Sequence, residues 1–168
     1  NISENIKFGG DYISDDAMVK AANIAQATEF IEEKPEKYLR HISQGGTNVS
    51  GGQKQRLSIA RAIAKNPKIF IFDDSFSALD YKTDSMLRKA LKNEIKDATV
   101  IIVAQRISTI LHADQIIVLN DGKIDGIGNH EQLMKYCKTY REIAKSQLSD
   151  KELAISSNSN DNGGEENE

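Results

Sequence analysis

The chain has 168 residues, of which 39% are hydrophobic and 28% charged, with a formal charge of −3. That length suits one domain with a sizeable core, and no run approaches the roughly 20 consecutive apolar residues that a membrane helix needs. The acidity is concentrated from Ser149 onward, where Asp150, Glu152, Asp161, Glu165, Glu166 and Glu168 outweigh Lys151, and the nearly neutral body lacks the concentrated basic face that nucleic-acid binding asks for.

The start, Asn1-Ile2-Ser3-Glu4, has no basic region followed by an apolar run and so does not read as a signal peptide. Asp15 or Asp16 can cap a helix running through Ala27, because Ala17, Ala21, Ile24 and Ala25 recur at helical spacing. A second short helix is expected from near Thr28, where Thr28, Phe30 and Ile31 precede the break at Lys34-Pro35. Leu39 to Thr47 is expected to be a loop around Gly45-Gly46.

Next comes Asn48-Val49-Ser50-Gly51-Gly52-Gln53-Lys54-Gln55-Arg56, leading directly into the helical run Leu57 to Ala64. A short polar residue and two glycines before a long amphipathic helix leave several backbone N–H groups free to meet an anion. The glycines allow close approach of the backbone to phosphate oxygens, and Ser50 can both cap the helix and donate its hydroxyl. Taken alone, the same residues also fit an ordinary capped turn.

Pro67-Lys68-Ile69-Phe70-Ile71-Phe72 then reads as a buried parallel strand with Asp73 and Asp74 at its carboxyl end, where ligands bind in open α/β sheets. Successive strand side chains point oppositely, so the two aspartates are expected to serve different partners. Ser75-Phe76-Ser77-Ala78-Leu79-Asp80 leads to a helix from Tyr81 or Lys82 to Ile95, with Met86, Leu87, Ala90 and Leu91 on its apolar face. Thr99 to Val103 reads as a second buried strand, followed by Ala104-Gln105-Arg106.

Gln115 to Leu119 and Lys123 to Gly128 should form a hairpin around Asn120-Asp121-Gly122. His130 opens a further helix and is expected to be structural, while His41 and His112 have no partner pattern. Cys137 is alone and without metal-ligand spacing around it, so a buried thiol is expected. Thr139 to Gln147 reads as a last helix. Residues 149–168 make an acidic tail rich in Ser, Asn, Gly and Glu, which cannot bury enough apolar area to offset ordering entropy and is expected to be disordered.

In order and spacing, these segments resemble the nucleotide-binding domain of ATP-binding cassette (ABC) transporters of the exporter type, over Asn1 to about Leu148. The resemblance implies an α/β fold corresponding to the carboxyl-terminal half of a P-loop ATPase domain. Residues 11–64 would be its helical subdomain and residues 67–148 its parallel-sheet core, with the Walker A half missing. Consistent with that, no Gly-x-x-x-x-Gly-Lys-Ser/Thr occurs in the chain. By itself the chain is expected neither to bind ATP tightly nor to hydrolyse it.

The resemblance also assigns roles. Ser50, Gly51, Gly52 and Gln53 would be the signature that closes over ATP held by a second nucleotide-binding domain. Asp73 would be the Walker B aspartate that holds Mg²⁺ through water, and Asp80 would lie in the D-loop at the dimer interface. Further partners would be the transmembrane domain of an exporter, at the cytoplasmic face of the membrane, and no nucleic acid.

Four places depart from the family pattern. Gln44-Gly45-Gly46 stands where an acidic X-loop is usual, and Val49 replaces a leucine that packs, an apolar change of mild effect. Asp74 stands for the catalytic glutamate and Gln105 for the switch histidine. Asp74 is one methylene shorter, and a misplacement of about 1 Å can cost roughly 100-fold in rate. Gln105 can donate a hydrogen bond but cannot carry a proton. Two such changes in one site resemble the degenerate half of a heterodimeric exporter, whose intact signature serves its non-identical partner. Other readings are a non-catalytic regulator, a truncated remnant, or a chromosome-associated ATPase head. The last calls for heptad repeats that Asn1 to Arg40 does not show.

Overall fold

The computed structural model describes residues 1–10 and 12–148. They fall into two compact units, Asn1–Val103 and a second that begins at Ala104.

In the first unit, α1 (Ile2–Ile6) is closed by a capping box between Asn1 and Glu4. Helix α2 (Asp15–Ile24) is capped by Ser14, whose hydroxyl accepts from the Ala17 amide, so Asp15 and Asp16 occupy the first turn and not the expected cap. There their charges face the positive end of the helix dipole. The helix also stops short of Ala27, because Gln26 adopts a left-handed φ of 56°. Helix α3 (Thr28–Glu32) starts where expected and buries Phe30 and Ile31. The loop that follows contains two 3-10 turns, Lys37–Leu39 and Gln44–Gly46. Helix α4 (Gly51–Ala64) turns Leu57, Ile59, Ala60 and Ala64 into a core shared with Ile2, Ile6, Met18, Ala21 and Ala22. The many alanines at this junction keep the packed helices close.

Strand β1 (Ile69–Asp73) pairs in parallel with β2 (Thr99–Val103), in register from Ile69↔Thr99 to Asp73↔Val103, and α5 (Tyr81–Glu94) makes the crossover. Both strands were expected to be buried, but only one face is covered. Phe70 and Phe72 pack into the core, whereas Ile69 is 58% and Ile71 68% exposed, with Ile101 and Val103 open beside them. Alternate side chains leave a sheet on opposite sides, and among the described residues nothing covers the second side. Met86 also departs from its expected place: it is exposed, and Leu87 and Leu91 hold the inner face of α5.

The second unit contains α6 (Ile107–Ile110), the antiparallel hairpin β3 (Ile116–Asn120) and β4 (Lys123–Gly128), then α7 (His130–Tyr136) and α8 (Lys138–Gln147). The hairpin turns at Asp121 and Gly122, both at positive φ, as a two-residue hairpin loop demands. Its core gathers Ile107, Ile116, Val118, Leu133, Cys137, Tyr140, Ala144 and Leu148. Cys137 is buried as expected. His130 is buried against Tyr140, its Nδ1 2.8 Å from the phenol oxygen. The expected disordered tail lies outside the described residues.

Candidate functional site

Ser50 sits in extended backbone immediately before α4, and its Oγ accepts from the Gln53 amide at 3.2 Å. The Gln53 side chain returns to accept from the Ser50 amide at 3.0 Å, completing a capping box. This box uses the third helical amide. The amides of Gly51 and Gly52, ahead of it, have no intrahelical acceptor, and the Ser50 hydroxyl proton remains available to donate. Gly52 suits this place for a local reason: a Cβ there would lie 3.1 Å from the Ala78 carbonyl oxygen, tighter than ordinary contact, so the neighbouring backbone would have to give way slightly. The helix start and the segment leading to Asp80 therefore approach as closely as backbone allows.

That approach is held by Gln55, a residue two beyond Gln53 and one to which sequence reasoning gave no role. Its Nε2 donates to the Asp74 carbonyl at 3.4 Å and to Ser77 Oγ at 3.3 Å, and its Oε1 accepts from the Ala78 amide at 3.0 Å. Asp73 ends β1 as an exposed carboxylate. Asp74 lies past the strand with φ at 47°, its amide donating to the Val103 carbonyl at 3.2 Å. Strand alternation therefore stops at Asp73 and does not set the direction of Asp74. The left-handed region is one that aspartate tolerates better than most residues.

Asp80 caps α5, accepting from the Thr83 amide at 3.0 Å and from Thr83 Oγ1 at 2.7 Å. These two bonds hold its carboxyl below the usual carboxylate range, the backbone bond contributing most. Arg56 is a second residue that sequence reasoning passed over. Its guanidinium donates to the Gln26 carbonyl at 2.8 Å and lies 4.7 Å from the centre of the Phe30 ring. Burial lowers its pKa, while Asp80 and Glu29 oppose the shift.

In the second unit, Gln105 and Arg106 are exposed, and the backbone around them is held by Gln147. Gln147 Nε2 donates to the Gln105 carbonyl at 2.9 Å, and Gln147 Oε1 accepts from the Ile107 amide at 2.8 Å. Among the described residues, no group of three His, Cys, Asp or Glu side chains could hold a metal ion. A cation here would have to be shared with a ligand, as Mg²⁺ commonly is with phosphates. Asp73, an exposed carboxylate at the end of β1, fits that arrangement.

The family model described as ABC transporter matches residues 2–77, a span that includes Ser50 to Gln53, Asp73 and Asp74. An ABC transporter ATP-binding protein of Mycobacterium tuberculosis is 44% identical over 149 residues, covering 87% of this chain. Its homologues are ABC transporters. ATP-binding cassette sub-family B member 5 of Homo sapiens is likewise 44% identical, over 146 residues and 87% of the chain. Among solved structures, a bacterial Atm1-family ABC exporter with ATP bound superposes with a TM-score of 0.84 at 35% identity, over 88% of this chain. The similarity to ABC exporters thus extends past the family-model match, through the second unit as well as the first. The chain spans 25% of the mycobacterial relative, 12% of the human one and 26% of the solved exporter.

Proposed function

We propose that this chain is an ATP-binding segment of an ABC exporter and that it acts with a second, non-identical nucleotide-binding domain. The observation that carries the reading is the start of α4: a capping box that, among the described residues, leaves the Gly51 and Gly52 amides and the Ser50 hydroxyl proton uncommitted, within the ABC match. Those groups donate to the terminal phosphate of ATP held by the partner domain, and the α4 dipole favours the anion. Asp73 would hold Mg²⁺, and the ion would supply charge neutralisation at the phosphates. Asp74 orients the attacking water from a shorter side chain than glutamate, and Gln105 offers a hydrogen bond to the phosphate without being able to take up a proton. Asp80 lies at the interface between the two domains with its carboxylate kept ionised.

The phosphate loop is supplied from outside these 168 residues. The open apolar face of β1 and β2 supports this, since parallel sheets are ordinarily covered on both faces. The segment works at the cytoplasmic face of a membrane, attached to a transmembrane domain. Among the described residues, no helix is long and apolar enough to cross a membrane.

The composite site that contains Asp74 and Gln105 is the slow one of the pair. In the assembled transporter, Asp74→Glu combined with Gln105→His should raise ATP turnover at this site by about 10²-fold, the scale of regaining one well-placed group. Turnover that does not move would remove the degenerate-site reading.

A further inference from the structure

The switch segment has an unusual support. Helix α6 begins at Ile107, and its N-cap residue, Arg106, makes no side-chain capping bond. The Ile107 side chain is buried in the second unit's core, so the helix start cannot drift outward to find water without breaking that packing. The missing acceptor comes from forty residues later, where Gln147 Oε1 takes the Ile107 amide at 2.8 Å. The other end of the same side chain, Nε2, donates to the Gln105 carbonyl at 2.9 Å. One amide therefore grips the peptide units on both sides of Arg106 and fixes the backbone from which the Gln105 side chain projects. Leu148, the next residue, is buried with Ile107 in the same core and sets the position of the last turn of α8.

We propose that Gln147 is a positioning residue for the switch: it holds Gln105 in register for the terminal phosphate through backbone alone, without touching nucleotide. This rests on the reading of Gln105 as the switch position. The chemistry asks for glutamine specifically. A donor and an acceptor are both needed, and glutamate would set an oxygen against the Gln105 carbonyl and add negative charge beside a triphosphate. The end of α8 and the switch segment consequently move as one piece.

Two measurements test this, and they fail separately. In the 168-residue chain, amide hydrogen exchange reads the clamp directly. Gln147→Leu should lower the protection of the Ile107 amide by about tenfold, the upper range for one net hydrogen bond. Gln147→Glu, which keeps the acceptor, should preserve most of it, and the hairpin amide of Val118 should be unchanged in both. Equal Ile107 protection in all three proteins overturns the clamp whatever the chain does with ATP.

In the assembled transporter, the second measurement places Gln147→Leu in two backgrounds. With Gln105→His, kcat at this site should fall about tenfold with KM for ATP nearly unchanged. With Gln105→Ala, Gln147→Leu should have no further effect, because there is no side chain left to aim. An equal loss in both backgrounds would make Gln147 merely structural and overturn the proposal. If Gln105→His itself changes nothing, the switch reading fails, while the exchange result still decides whether the clamp exists.

Discussion

Both units hold their proposed site segment with a single glutamine that uses both ends of its amide, yet the two devices differ in what supports them. Gln55 lies in the second turn of a helix of fourteen residues whose start is fixed by its own capping box. Gln147 is the last residue of α8, in the turn where helices fray. The Gln55 bonds to Asp74 and Ser77 are long, at 3.4 and 3.3 Å, whereas the two Gln147 bonds are 2.9 and 2.8 Å. The better bonds thus hang on the weaker support. A glutamine suits both places because it matches a carbonyl and an amide at once without placing charge beside a phosphate site. The difference in support means that the second unit's segment can be loosened from a distance, through α8, while the first unit's cannot be loosened through α4 without unfolding its core.

The largest effect should come from attacking that support without touching the clamp. Leu148→Ala removes a buried side chain that pins the end of α8 and should cost the second unit roughly 2–3 kcal/mol. The Ile107 amide should then lose protection although Gln147 is intact, and the Ala78 amide in the first unit should not change. Amide exchange resolved by residue reads both. Full retention of Ile107 protection would show that the last turn of α8 is held by something other than Leu148.

Gln55→Met should do less. Ala78 and Ser77 are exposed, so water can replace much of what Gln55 offers, and the net loss should be about 1 kcal/mol in urea unfolding, mostly from the 3.0 Å bond to Ala78. Protection of the Ala78 amide should fall while the α4 amides keep theirs. A loss above roughly 3 kcal/mol would mean that Gln55 holds core packing as well as a loop.

The same contrast explains what could be read ahead of the structure. The start of α4 was legible because a serine and two glycines stand directly before an amphipathic run, and the hairpin was legible because Asp121-Gly122 suits a turn at positive φ. Parallel pairing of β1 and β2 followed from two apolar runs joined by a helix. The open face of that pair was not legible, because Ile69 and Ile71 are as apolar as Phe70 and Phe72, and such a run carries no mark of which side lacks a cover. Ser14 was hidden by two aspartates that cap equally well. Gln147 left no trace at all: it is an exposed polar residue on a helix, and its partners lie 40 and 42 positions away. Local devices are spelled in neighbouring letters, and distant ones exist only once the chain has folded.

Acidification offers the gentlest way to separate the two clamps. His130 and Tyr140 join α7 to α8, with Nδ1 2.8 Å from the phenol oxygen, and the buried His130 Nε2 has no partner among the described residues. In the neutral ring Nδ1 accepts from the hydroxyl or donates to it, according to the tautomer. Burial holds the His130 pKa below its ordinary 6.5, with Glu131 opposing the shift and His112 adding to it, while burial pushes the Tyr140 phenol up to about 12, far from this range. Between the lowered folded value and 6.5 the unfolded chain binds a proton that the folded one does not, so stability falls as pH drops through that window. For one proton the slope is at most about 1.4 kcal/mol per pH unit. Protection of the Ile107 amide should therefore decline from pH 7 to pH 5 more than that of the Ala78 amide. His130→Asn keeps an acceptor for the Tyr140 hydroxyl but does not titrate, and it should abolish the difference. If the pH dependence survives in His130→Asn, the loosening comes from another group, with His112 the next to replace.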